Sequence, residues 1–142
     1  MRRLVILAAL SAAGCGAKED ATWSPPPLLS RGELRIDGFN AYAAASDEGF
    51  ASSPSLTALK LVSPEERPGA TVSFDQTGGE DAPTAQVRIT FSRLEDDSVE
   101  AVRYVIELRR SDDDRWLVES AQRTFRCHRG RGQQSFEADL CL

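Results

Sequence analysis

The chain has 142 residues and a formal net charge of −5, from 17 basic against 22 acidic side chains. Residues 1–14 hold Arg2 and Arg3 and no acid, so the body that follows carries 15 basic against 22 acidic groups, or −7. Such a body repels phosphate backbones, which excludes nucleic acid as a partner of the whole, and its one histidine and three cysteines leave few groups for metal or nucleophilic chemistry.

The chain opens with Arg2 and Arg3, an apolar run from Leu4 to Leu10, and small residues from Ser11 to Gly14 ahead of Cys15. A basic end holds such a segment at the cytoplasmic membrane face, the apolar run enters the export machinery, and small residues admit a peptidase. Spanning a bilayer takes roughly 20 apolar residues, so the run is too short for a transmembrane anchor. Ala12-Ala13-Gly14-Cys15 resembles the bacterial lipobox, although that motif more often has leucine three residues before the cysteine. The resemblance implies a signal peptide over 1–14, palmitate-type acylation of Cys15, and a domain held to the membrane from the periplasmic or extracellular side. The alternatives are an ordinary secretory signal and an uncleaved apolar anchor.

From Gly16 to Arg31 the chain is polar and then carries Pro25-Pro26-Pro27. Triple proline favours extended geometry, so residues 15–31 read as a lipidated cysteine with a spacer, and residues 32–142 as a single domain. Asp37 is placed to cap a short helix with Phe39, Tyr42 and Ala43 on one side. Ser53-Pro54 starts another, carrying Leu56, Leu59 and Leu61 or Val62.

Ala70 to Phe74 alternates as a strand does, whereas Gly78-Gly79 predicts a loop from Gln76 to Pro83. The clearest signal follows: Ala85, Val87, Ile89 and Phe91 share one face of a strand, and Val102, Tyr104, Ile106 and Leu108 share one face of the next. Arg115 to Arg126 begins in phase with Trp116 and Val118 and loses it around Ser120 to Gln122, which predicts a bulge or an edge. The short polar connections Glu95 to Ser98 and Ser111 to Asp114 suit antiparallel turns.

These elements predict an α+β domain. One or two short helices pack on a curved antiparallel meander of about four strands, followed by a C-terminal disulfide loop. Helices first and a meander after, with a tryptophan opening the last strand, resembles the cystatin-like and nuclear-transport-factor-like cone folds. Trp116-Leu117-Val118, then Phe125 to Gly132, Phe136 and Leu140-Cys141, together with Asp96 to Val99 ahead of Arg103-Tyr104, resembles a group of small uncharacterised bacterial lipoproteins. That resemblance covers about the last third of the chain. It implies secretion and a disulfide and carries no activity.

With Cys15 assigned to the lipid, Cys127 and Cys141 remain. A bridge between them in an oxidising compartment stabilises by about 3 kcal/mol on the chain-entropy model. Two reduced thiols are the alternative, and a metal pair is disfavoured because His128 is the only histidine and no second ligand cluster accompanies it. Gly130-Arg131-Gly132 lacks the third glycine of a dinucleotide loop, and Asp112 to Asp114 lacks the glycine and glutamate of a calcium loop, so no cofactor and no metal is expected. Ser135 near His128 is a coincidence of position.

Among the inward strand positions only Tyr104 is polar, which argues against an acid–base enzyme. The alternative is a small cone-fold enzyme with a pocket under the helices, combining Tyr104 with an acid such as Asp37 or Glu48. One basic cluster stands out in the acidic chain: Arg123, Arg126, His128, Arg129 and Arg131 fall within nine residues. Arg126, Arg129 and Arg131 are candidates to contact an anionic ligand or an envelope protein, and the plainer reading pairs them with the Glu95 to Asp97 turn. The expected function is that of an envelope-anchored, non-catalytic binding or interaction domain.

Overall fold

In the computed structural model the described residues are 23–24, 32–62, 70–79 and 81–142. Cys15, the signal segment and the spacer apart from Trp23 and Ser24 lie outside them. The described elements are β1 (Gly32–Glu33), α1 (Phe39–Ala45), a 3-10 turn (Phe50–Ser52), α2 (Pro54–Val62), β2 (Thr71–Gly78), β3 (Thr84–Ser92), β4 (Val99–Arg110) and β5 (Trp116–Cys127). The strands form one sheet in the order β1-β5-β4-β3-β2, antiparallel throughout. The α+β class and the meander are as expected. The sheet has five described strands where about four were predicted, because β1 is two residues long and too short to show a period. It pairs Gly32 with Arg123 and Glu33 with Gln122, and Leu34 N–H donates to the Ala121 carbonyl at 2.8 Å.

Alternation in β3 and β4 translates directly into burial. Ala85, Val87, Ile89 and Phe91 are buried, as are Val102, Tyr104, Ile106 and Leu108. On β5 the lost phase is a bulge and not an edge. Glu107 pairs with Ser120 and Leu108 with Val118, leaving Glu119 as the extra residue. Before it Trp116 and Val118 face the core; after it Ala121, Arg123, Phe125 and Cys127 do. Asn40 of α1 then stands in for a neighbouring strand, its Nδ2 donating to the Val118 carbonyl and its Oδ1 accepting from Val118 N–H, both at 2.9 Å.

The start of β2 matches expectation, but the strand continues through Gly78, which pairs with Ala85, so Gln76 to Gly78 belong to the strand and not to the predicted loop. Gly78 does not break the ladder. Its φ is +76°, and a Cβ there would lie 2.4 Å from the Thr84 carbonyl oxygen, so only glycine allows the two strands to stay this close. All eight residues of β2 are exposed, with Val72 at 42% and Phe74 at 49%. Alternation here does not report burial, because α2 packs over β3, β4 and β5, and α1 over β5.

Both helices form where predicted, with changed details. The α1 N-cap is Gly38 at φ 82°, with no side-chain cap, while Asp37 turns outward to accept from Arg35 Nε at 3.2 Å. A left-handed glycine between Asp37 and the helix removes the capping geometry. Helix α2 buries Pro54, Thr57, Ala58, Leu61 and Val62, leaving Leu56 half exposed and Leu59 at the margin. Thr57 is acceptable inside because its hydroxyl donates to the carbonyls of Ser53 (2.7 Å) and Phe50 (3.2 Å), and Ala58 lets the helix approach the sheet. The helical layer is completed by Phe50 and by Trp23, whose ring meets Phe39 edge-on at 5.1 Å and whose Nε1 donates to the Leu61 carbonyl at 3.4 Å.

Candidate functional site

Beyond β5 the chain folds back along the strand it has just left. Phe125 exchanges both backbone hydrogen bonds with Glu137, at 2.7 and 3.0 Å, and Cys127 N–H donates to the Gln133 carbonyl at 2.9 Å. Cys127 and Cys141 are bonded, with Cα atoms 5.5 Å apart and a sequence separation of 14. Gln134 Nε2 donates to the Cys127 carbonyl at 3.0 Å and holds the loop from within. The glycine at 132 is required: a Cβ there would stand 2.9 Å from Cys127 Sγ, at a φ of +138°.

The β3–β4 turn lies against this loop, as an up-and-down meander demands. His128 N–H donates to the Ser98 carbonyl at 2.9 Å, Ser98 Oγ donates to the Leu142 carbonyl at 2.5 Å, and Leu142 N–H donates to the Arg131 carbonyl at 2.7 Å. The acids of the turn are not neutralised by the loop arginines. Asp96 accepts from the backbone N–H groups of Val99 (2.7 Å) and Ser98 (2.8 Å). These two donors hold its carboxyl below the usual carboxylate range against a small desolvation cost, with the charge of His128 assisting.

The three candidate arginines separate. Arg126 is held bidentately by Glu100, Nε to Oε2 at 2.9 Å and a terminal nitrogen to Oε1 at 3.2 Å, and its guanidinium lies 5.1 Å from the Phe136 ring. Its partner is thus not the Glu95 to Asp97 turn. A second bulge, between Val99 and Ala101, makes Glu100 the extra residue beside Arg126. Arg129 and Arg131 are exposed, and their side chains make no hydrogen bond or ion pair with any described residue. Ser135 bonds to Glu137 and not to His128. Among the described residues no three His, Cys, Asp or Glu side chains gather as metal ligands do.

Among the described residues the interior contains one charged side chain, which the sequence pattern did not expose. Arg123 is 2% exposed and its guanidinium lies over the Tyr104 ring at 4.8 Å; Tyr104 is fully buried and meets Phe91 edge-on at 5.9 Å. The signal is present in the phase of Phe125 and Cys127: counting back by two from the disulfide cysteine places Arg123 inward. Asp37 and Glu48, the acids considered as partners of Tyr104, sit outside, paired with Arg35 and with Lys60 (2.6 Å). Lys60 is in turn held in its charged form, its pKa raised by the Glu48 hydrogen bond first and by Tyr42 next.

A cavity of about 140 Å³ opens elsewhere, between Ala43 and Ala51 of the helical layer and Ser111, Asp113, Arg115 and Trp116 of the β4–β5 hairpin. Its polar rim is internally committed. Asp113 accepts from Arg115 Nε at 2.6 Å and Asp114 pairs with Arg110 at 3.2 Å, so the aspartate run closes a hairpin tip. No family model, no curated protein and no solved structure matches this chain.

Proposed function

We propose that this chain is an envelope-anchored lipoprotein, tethered through an acylated Cys15, whose folded domain is a non-catalytic binding module that meets an acidic or anionic partner through the disulfide-closed loop. The observation that carries the reading is the state of Arg129 and Arg131. They project from a loop fixed by a covalent bond and by backbone hydrogen bonds to Ser98 and Leu142, and no described acid neutralises them. A guanidinium presented from a rigid support loses little conformational freedom on pairing with a carboxylate or phosphate. Tyr104 supports a binding role over catalysis, since it is sealed in the core away from Asp37 and Glu48.

The test uses the full chain in a bacterial envelope. Cys15→Ser is expected to move the protein from the detergent phase to the aqueous phase. Arg129→Gln with Arg131→Gln is expected to keep the melting temperature and to abolish salt-sensitive crosslinking to envelope material, as removal of interfacial charge contacts commonly costs roughly 2 to 5 kcal/mol. Unchanged partitioning overturns the anchor, and crosslinking insensitive to both salt and the double substitution overturns the loop.

A further inference from the structure

The face of the sheet turned away from the helices is lined by arginines on neighbouring strands. Register places Arg103 of β4 between Thr90 of β3 and Thr124 of β5, and Arg88 and Arg126 stand on the same strands two residues from those threonines. Two of these cations have carboxylate partners: Arg88 pairs with Asp75 at 3.0 Å and Arg126 with Glu100 at 2.9 Å. Arg103 has none among the described residues. Its Nε donates to the Thr90 hydroxyl at 3.3 Å, and its guanidinium carbon lies over the Phe136 ring, 3.7 Å from its centre, so the head group is held from two sides. Glu107, also on this face of β4, is engaged by Gln86 Nε2 at 2.7 Å.

Two polar atoms beside Arg103 are buried without a hydrogen-bond partner, Thr124 Oγ1 and Arg88 Nε. Buried polar atoms are normally satisfied, and a half-buried guanidinium next to two others is normally countered. Burial and the charges of Arg88 and Arg126 lower the pKa of Arg103, the direction expected where a negative charge is missing. The unmet demand is for one negative charge with at least two acceptor oxygens, bordered by a hydroxyl able to donate.

We propose that this face carries an anion site centred on Arg103, with Thr124 and Arg88 at its border and Phe136 as its backing, that takes a single carboxylate group. Two considerations select a carboxylate. Arg88 and Arg126 are each held by their own carboxylate, so the uncountered charge is the single one on Arg103, which a monoanion cancels and a phosphate dianion overshoots. The terminal N–H groups of a guanidinium form a planar pair matched to the two oxygens of a carboxylate. The site is separate from the exposed loop arginines, so it stands or falls apart from the loop reading above. The carboxylate could belong to a small acid or to the end of a peptide chain, and the probes distinguish these.

The experiment is a titration of the detergent-solubilised full chain, following backbone amide and arginine Nε–H signals by NMR, with acetate, N-acetylglycine and inorganic phosphate as probes. Saturable shifts centred on Arg103 and Thr124 with both carboxylates are expected. N-acetylglycine binding at least tenfold more tightly than acetate assigns the site to a peptide terminus, and equal affinities assign it to a small acid. Arg103→Gln is expected to weaken binding at least tenfold and Arg103→Lys to recover part of it. Thr124→Val, which removes the hydroxyl at nearly equal volume, is expected to weaken binding severalfold and keeps the test decisive if Arg103→Gln unfolds the protein. Absence of saturable shifts, shifts centred on Arg129 and Arg131, tighter binding of phosphate than of either carboxylate, or full affinity in Arg103→Gln or in Thr124→Val would each overturn the proposal.

Discussion

Replacing Cys127 and Cys141 together by alanine isolates what the cross-link contributes. The bond joins positions 14 apart in sequence, and the loss of loop entropy in the unfolded chain for a loop of that length is worth about 3 kcal/mol. For a domain of this size each kcal/mol moves Tm by about 4 to 8 °C, so a fall of about 12 to 24 °C is expected. The folded tail keeps its own attachments, namely the Phe125–Glu137 exchange, the bond from Cys127 N–H to Gln133, and Phe136 resting on Arg103 and Arg126. The cross-link therefore acts chiefly on the unfolded chain. Thermal unfolding followed by fluorescence of the buried Trp116 reads the global loss, and amide exchange at Phe125 and Cys127 reads the tail. Exchange at these two sites should quicken only in step with global stability. An unchanged Tm would refute the entropic account. An unchanged Tm with lost protection at Phe125 and Cys127 would show that the bond alone pins the tail.

Asp96 links the turn to pH. Its folded pKa lies below the ordinary 3.8, so its contribution is present in full above that value and is lost as pH falls through the lower folded value. Asp96→Ala is expected to cost about 1 kcal/mol at neutral pH, discounted for solvent exposure, and to flatten the acid limb of the stability profile; an equally steep limb in the variant would count against it. In α2, Leu61→Ala is expected to cost about 2 to 5 kcal/mol and Leu56→Ala less than about 0.5 kcal/mol, measured by denaturant titration. Equal costs would show that the helix buries the face suggested by leucine spacing.

Leucine spacing places Leu61 and Val62 correctly and Leu56 wrongly, for a physical reason. Leu56 and Leu59 have the stronger transfer free energies, but Thr57 and Ala58 let the backbone approach the sheet, and Thr57 satisfies its hydroxyl within its own turn. Likewise Asp37 has the right chemistry for a cap, yet Gly38 at φ 82° occupies the cap position. The Glu95 to Asp97 turn is a reasonable partner for the basic cluster on proximity. Backbone N–H groups take Asp96 instead, and a bulge puts Glu100 next to Arg126.

Period-two alternation is local: successive side chains of an extended backbone point to opposite faces whatever surrounds them, so the inward faces of β3 and β4 and the meander they imply are legible in the residues alone. The cysteine pair is likewise legible from count and spacing. Phase across a bulge is a property of two strands, because the extra residue is defined only against a partner that skips it. That is why the lost phase on β5 predicted a bulge or an edge without singling out Glu119, why the bulge at Glu100 was not seen, and why Arg123, read as part of a surface cluster, lies in the core over Tyr104. Exposure of β2 is also hidden, since whether an alternating strand is covered depends on where a helix far away in sequence comes to rest. Local covalent geometry settles which way a side chain points along one strand, and only packing between distant segments settles what it meets there.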